Sequence, residues 1–288
     1  MQLLRTTRRR FIGLAAGAGV AALGADSVLI EPNHPRVVRK EIALGRWPSR
    51  LDGFTIALLA DFHYDAHFSR HPLQAAIGMV NSLRPDLIAL VGDFVSVPLA
   101  GNDEQAAAVA EPCARLLRQM QAPYGLWAVL GNHDFATDPR RVTHALRAQG
   151  IQVLANQSVP VERDGARFWL AGVNDVLFGD PNLDISLHHV ATGEATILLV
   201  HEPDYADYVS HYSVDLQLSG HSHGGQVRFP FLPPLFLPDL GRKYVMGLYK
   251  VGPLSLYTNA GLGTVNLPIR WNCPPEITLL TLRKTTPQ

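Results

Sequence analysis

The chain has 288 residues, 47% of them apolar and 17% charged. That balance excludes a disordered protein and suits one large domain or two small ones. Lysine plus arginine and aspartate plus glutamate total 25 each, so the composition carries no footprint of a nucleic-acid binder, and no nucleic-acid partner is expected. Cys113 and Cys273 stand far apart in no metal-type spacing. They leave one disulfide open in an oxidising compartment but make no disulfide framework.

In chain order, Arg5 and Arg8-Arg9-Arg10 precede an apolar, small-residue stretch over 11–23, with no charge before Asp26. This is a basic region followed by a hydrophobic segment too short to span a bilayer comfortably. Thr7-Arg8-Arg9-Arg10-Phe11-Ile12-Gly13 resembles the twin-arginine export signal. The resemblance implies export of the folded chain by the twin-arginine machinery to a periplasmic, extracytoplasmic or membrane-associated location. Residues 1–25 would be the signal segment, cut near Ala25 or kept as an anchor; the alternative is a basic tail before a buried helix.

Residues 26–50 form a lead-in rich in proline and arginine, with an edge strand over 37–44. The nearly continuous apolar run 54–60 predicts a strand buried on both faces, ending in Asp61-Phe62-His63. A helix over 73–83 closes at Arg84-Pro85. A strand over 86–91 ends in Gly92-Asp93, and 104–120 reads as a helix. A strand over 124–130 ends in Gly131-Asn132-His133-Asp134, and a helix over 139–149 is capped by Thr137 or Asp138.

The second half holds strands at 151–154, 159–163 and 168–173, the last two joined by an Asp164-Gly165 turn. The strand 196–200 ends at His201, and 214–218 runs into Ser219-Gly220-His221-Ser222-His223-Gly224-Gly225-Gln226. Strands at 245–251, 254–258 and 277–282 complete the set. Alternating strands and helices followed by mostly strands predict two packed sheets flanked by helices, with 51–288 as one catalytic domain.

Polar clusters follow the apolar runs: Asp61 with His63, Asp93, Asn132 with His133, His201, and His221 with His223. Side chains at strand ends converge along one sheet edge. If the last pair is extended, His221 and His223 share a face; a polar hairpin with solvated histidines is the alternative for an isolated pair. Carboxylate, amide and imidazole donors suit Mn, Fe or Zn, and the lack of cysteine ligands argues against a structural zinc site. So many donors exceed one ion and match a carboxylate shared between two ions about 3.5–4 Å apart.

Asp-x-His, Gly-Asp, Gly-Asn-His-Asp, a lone His and Gly-His-x-His occur here in the order found in calcineurin-like metallophosphoesterases, over about 54–282. The Gly-Gly-Gln tail and the export motif resemble the family's exported or membrane-associated bacterial phosphodiesterase branch. The resemblance implies a four-layer αββα sandwich of two mixed sheets, two divalent metal ions, and a phosphoester substrate cleaved at a P–O bond by in-line attack of a metal-bound hydroxide. Carried over by motif, Asp61, His63 and His223 take the first metal. Asp93 bridges, and Asn132, His201 and His221 take the second. His133 contacts the phosphate and protonates the leaving oxygen.

One departure stands out. Protein phosphatases of this superfamily place an Asp three residues after the bridging carboxylate, followed by Arg; here Ser96 and Val97 stand there. This weakens His133 as a general acid, counts against a phosphoprotein substrate and favours a phosphodiester. Asp134 either supports His133 or is structural. His67, His71 and Asp65 line the substrate mouth or lie at the surface, and Glu202 and Asp204 either hold His201 or are helix N-terminal acids.

The proline-rich apolar stretch 227–240, with Phe231 and Phe236, precedes Arg242-Lys243. It reads as a lip touching lipid or an acylated substrate over 227–243, with the basic pair holding phosphate or anionic headgroups, or as a stiffened loop packed on the core. Two further readings are a pyrophosphatase or phosphatase on a lipid-linked or nucleotide-sugar intermediate, and a non-catalytic, metal-containing envelope-binding protein.

Overall fold

The computed structural model describes residues 8–65, 67–98 and 102–285. Thr7, at the start of the export-like motif, lies outside the described residues. Helix α1 (Arg8–Ala25) is continued by a π-helical turn, Asp26–Ile30, and a 3-10 turn, Glu31–Asn33. The apolar helical segment therefore runs over Arg10–Asn33, 24 residues, with mean hydropathy 1.6 and its hydrophobic window unburied. It is long and apolar enough to cross a membrane. This corrects the expectation of a segment too short to span: Asp26 does not stop the helix, because a single polar residue costs a helix backbone little.

The first sheet lays six strands side by side in the order β1 (Arg36–Leu44), β12 (Glu276–Lys284), β2 (Thr55–Ala60), β3 (Leu87–Val91), β4 (Leu126–Val129) and β5 (Gln152–Val153). β2 to β5 are mutually parallel, and β12 runs antiparallel to β2. The second sheet has the order β10 (Gly247–Val251), β11 (Leu254–Thr258), β9 (Leu216–Ser219), β8 (Thr196–Leu199), β7 (Ala166–Gly172) and β6 (Gln157–Arg163). Its centre, β11-β9-β8-β7, is parallel. The β6–β7 pair is an antiparallel hairpin about Asp164-Gly165.

The apolar runs account for the layering. In β2, Ile56, Leu58 and Ala60 face the second sheet, where they meet Leu170, Leu199 and Leu218, while Ala57 and Leu59 face outward onto helices. Helices α2 (Arg70–Leu83), α4 (Ala110–Leu117) and α6 (Pro139–Ala148) cover the outer face of the first sheet. Helices α7 (Leu183–Leu187) and α8 (Ala206–Val209) cover the second. The result is the expected αββα sandwich.

The helix expected over 104–120 is two, α3 (Asp103–Ala107), capped by the Asn102 side chain, and α4, because the chain turns at Ala108-Val109. Asp138, not Thr137, caps α6 by accepting the Arg141 N–H at 2.9 Å. A short helix that the apolar pattern does not announce, α5 (Asn132–Thr137), starts directly after β4. Cys113 and Cys273 are both free and buried.

Candidate metal centre

The loops after β2, β3, β4, β8 and β9 meet at one edge of the two sheets. Tight backbone carries them there. Asp61, His63, Asp93, His221 and His223 all have φ between 39° and 69°, a region uncommon for residues with a Cβ and concentrated at functional sites. Gly131 lets the β4 loop pass against Asp93 and His201, since a Cβ there would overlap both side chains.

Two donor groups result. Ligand atoms of Asp61, His63 and His223 lie within 4.8 Å of one another, as do those of Asp93, His201 and His221. Asp93 also reaches His63 and His133 in a third such group. All the sequence-predicted donors therefore converge, with Asn132 joined to the second group by its Oδ1, 2.9 Å from His221 Nδ1. The histidines do not share a strand face, however. β9 ends at Ser219, the left-handed backbone turns the chain at both residues, and each imidazole joins a different group.

Hydrogen bonds outside the cluster set the tautomers. The Val91 carbonyl accepts from His201 Nδ1 at 2.8 Å, and the Asp239 carbonyl accepts from His221 Nε2 at 2.8 Å. His201 Nε2 and His221 Nδ1 therefore face the site, His201 Nε2 standing 3.1 Å from the Asp93 carboxylate. The free lone pair of His221 Nδ1 meets another acceptor, the Asn132 oxygen, at 2.9 Å. Such opposed acceptors are costly unless a cation binds between them.

Electrostatics agree. Burial pushes His63 down to about 3 and His221 to about 4, and it holds His223 well below its usual value, so these rings are neutral donors. Burial pushes the Asp61 carboxyl up to about 7. At His201 burial is outweighed by Asp93 and Asp61, which raise it well above the ordinary imidazole value. The carboxylates demand positive charge, and the donor set fits divalent cations.

His133 lies half-buried at the start of α5, its ring edge-on to His63 with centroids 4.7 Å apart. Its Nδ1 accepts the Val97 N–H at 2.8 Å, so the neutral ring carries its proton on Nε2. Asp134 does not support it. The Asp134 carboxylate accepts the N–H groups of Asp93, Phe94, Val95 and Gly131 at 2.9–3.1 Å, clamping the loop that presents Asp93. Ser96, which stands where protein phosphatases of the superfamily carry an Asp, meets His63 Nδ1 at 2.9 Å.

Asp204 likewise does not hold His201. It accepts the N–H groups of Arg242, Lys243 and Tyr244. Glu202, fully buried, accepts the Val176 N–H. His67 and His71 are exposed, and Asp65 accepts the His67 and Phe68 N–H groups.

Arg270 belongs to the site without any motif in the sequence to mark it. It is entirely buried, and its guanidinium donates to the carbonyls of Gly263, Ala260 and Cys273. This stiffens a loop whose Gly261 and Gly263 pack on Asp61. Its companion Cys273 has its Sγ 3.3 Å from the His223 carbonyl.

Beside the donors opens a cavity of about 540 Å³. One wall is Asp93, Asn132, His133 and His221; the other is apolar, with Leu235, Phe236 and Leu267. The stretch 227–240 is thus a loop at the mouth. Its Phe229 packs on Trp271 at 4.9 Å while remaining partly exposed, and Phe231, Leu232, Leu235 and Phe236 are more exposed still. The basic pair is already engaged, Arg242 with Asp239 and Lys243 with Asp207.

Two stacked mixed sheets between helices, with a buried oxygen and nitrogen donor cluster where their strands end, define a metal-dependent hydrolase. The family described as calcineurin-like phosphoesterase matches residues 54–225. The chain is 35% identical over 290 residues to an uncharacterised metallophosphoesterase, YkuE, of Bacillus subtilis, covering 98% of this chain and 99% of that protein. It is 30% identical to the phosphodiesterase YaeI of Escherichia coli, covering 96% and 99%. The chain belongs to the calcineurin-like phosphoesterase family and is a metal-dependent phosphoester hydrolase. Among solved structures, the NAD nucleotidase of Haemophilus influenzae aligns with a TM-score of 0.50 at 15% identity, over 73% of this chain and half of that longer one, a likeness of fold alone.

Proposed function

We propose that the chain is a phosphodiesterase working with two divalent ions, Mn, Fe or Zn. Asp61, His63 and His223 would hold one ion, Asn132, His201 and His221 the other, and Asp93 both. The observation that carries this is the pair of separate donor groups with Asp93 reaching across them. When bound, such ions supply Lewis acidity at the phosphoryl oxygens and a nucleophile at neutral pH. The chain's own residues do the rest. Asp134 holds Asp93 in place, and His133 presents the Nε2 proton toward a leaving oxygen.

A diester is preferred because the described residues around the cavity include no lysine or arginine. A diester carries one negative charge, where a monoester dianion would need more compensation. The relative of 30% identity named a phosphodiesterase agrees. The apolar wall favours a second reading, a pyrophosphatase or phosphatase on a lipid-linked or nucleotide-sugar intermediate. In either case residues 1–25 would be the export or anchor segment, 26–50 the lead-in and 51–288 the catalytic domain. Blocked export of an Arg8→Lys/Arg9→Lys variant would support the twin-arginine route.

Elemental analysis and turnover on a chromogenic phosphodiester, a phosphomonoester and a nucleotide-sugar diphosphate test the proposal, with Asp93→Asn as control. Two metals per chain and diesterase activity lost in the variant are expected. Faster turnover of the diphosphate moves the assignment to the second reading, and unchanged activity in the variant overturns the ligand set.

A further inference from the structure

The apolar helical segment is fastened to the mouth of the site. The Ser27 carbonyl accepts the Arg270 N–H at 2.9 Å, and the Glu31 carboxylate accepts the N–H groups of Asn272 and Cys273. The same 263–273 loop supplies Val265 and Leu267 to the cavity. Gln226, at the end of the double-histidine motif, binds this loop from the other side through the backbone of Val265 and Leu267 at 2.9–3.2 Å. Trp271 then meets Phe229 of the lip. Helical segment, loop, lip and cavity form one connected assembly.

That assembly exposes apolar side chains at every step: Leu29 and Ile30 at the end of the segment, Leu267 on the loop, and Phe231, Leu235 and Phe236 on the lip. Phe231 is completely exposed and has φ of +67°. A bulky residue is disfavoured in that conformation and glycine or asparagine preferred. Neither core packing nor backbone geometry accounts for a phenylalanine there. Burying it in an apolar medium would.

We propose that this face docks on the lipid bilayer that α1 enters, and that the substrate is an amphiphilic phosphoester drawn from it, its tail along Leu235, Phe236 and Leu267 and its phosphate at the metal site. The substrate half rests on the phosphoesterase reading above. The occupant is a bilayer because a segment long and apolar enough to span it, the one among the described residues, is tied to the rim of this mouth. Contact is apolar rather than electrostatic, since Arg242 and Lys243 are paired with carboxylates.

The test uses the full chain in phosphatidylethanolamine–phosphatidylglycerol vesicles. Phe231→Cys carries an environment-sensitive fluorophore, and both native cysteines are buried. Glu162→Cys, near the β6–β7 turn at the opposite edge, is the control. Emission at 231 should rise several-fold, shift to the blue and persist in high salt, while emission at 162 stays water-like. Water-like emission at 231 overturns the docking face.

Turnover of methyl and dodecyl p-nitrophenyl phosphodiesters tests the tail. The dodecyl ester should show about tenfold lower KM, and Leu235→Ser/Phe236→Ser should abolish that advantage. Equal KM values, or an advantage that survives the variant and so reflects partitioning alone, overturn the tail assignment while leaving the phosphodiesterase reading intact. Hydrolysis of neither ester overturns that reading and the tail assignment with it, and the fluorophore still decides the docking face.

Discussion

His63 and His223 turn their Nε2 atoms toward each other at 3.0 Å, with the rings nearly parallel at 26° and 4.8 Å apart. Both rings are held neutral by burial. At most one of the two nitrogens can carry a proton toward the other, and the Asp61 carboxylate stands beside both. The arrangement is reconciled by a cation.

Chelation therefore destabilises the protein. A ligand present at a hundredfold its Kd contributes about 2.7 kcal/mol, which for a chain of this size shifts Tm by roughly 4–5 °C. Thermal unfolding with chelator and after adding back Mn or Zn checks this. An unchanged Tm would contradict metal binding at the cluster.

The metal-free chain should lose stability as pH rises from 6.5 to 8. Asp61 is raised from 3.8 to about 7, so its contribution is complete below 3.8 and disappears as pH passes 7. His201, raised well above 6.5, has the same sign and begins to count above 6.5. His63 and His221 are lowered, so their contribution is complete above 6.5 and is lost toward acid, outside this window. Asp134, raised by burial to about 8, has the same sign and loses its contribution at the top of the window. Each extra proton held by the folded state over this range amounts to about 2 kcal/mol. Urea titrations at the two pH values measure it. Metal loading should flatten the slope and release protons, because cations replace them.

Asp134→Asn should cost about 2–4 kcal/mol and weaken metal binding about 10–100-fold. An amide offers one acceptor oxygen where four N–H groups now converge on two. Denaturant unfolding and metal titration report the two effects separately. A variant with native stability but no activity would return Asp134 to the chemistry.

His133→Asn should lower kcat about 10²–10⁴-fold with metal content unchanged. The ring's hydrogen bond to the chain is the Val97 N–H, and its neighbours His63 and Asp93 keep their other partners. Metal loss in this variant would make His133 a ligand instead.

Arg270→Met should destabilise the chain by about 2–4 kcal/mol, since it strands three buried carbonyls. Arg270→Lys should restore little, because an ammonium cannot reproduce the fork of donors. Chemical denaturation of the two variants decides this. A near-native Lys variant would show that the charge beside Asp61, not the fork, is what matters.

Much of this molecule is legible in its sequence. Nearly continuous apolar runs at 54–60 and 87–91 mark strands buried on both faces, and the polar residues just after them mark a sheet edge, because strand burial is a local, periodic property. That is why Asp61, His63, Asp93, Asn132, His133, His201, His221 and His223 could be singled out before any contact was known.

Only the tertiary structure decided which of them meet. His221 and His223 are two apart in sequence yet join different groups, because left-handed backbone at both breaks the strand's alternation. His63 and His223 are 160 residues apart and touch. The clamp of Asp134 on the Asp93 loop, the seat of His63 on Ser96 and the tie of Ser27 and Glu31 to the site's rim join residues far apart in the chain, and the buried fork of Arg270 closes a loop on itself. No periodicity in the chain encodes them, since they exist only once the two sheets have stacked and brought their loops to one edge.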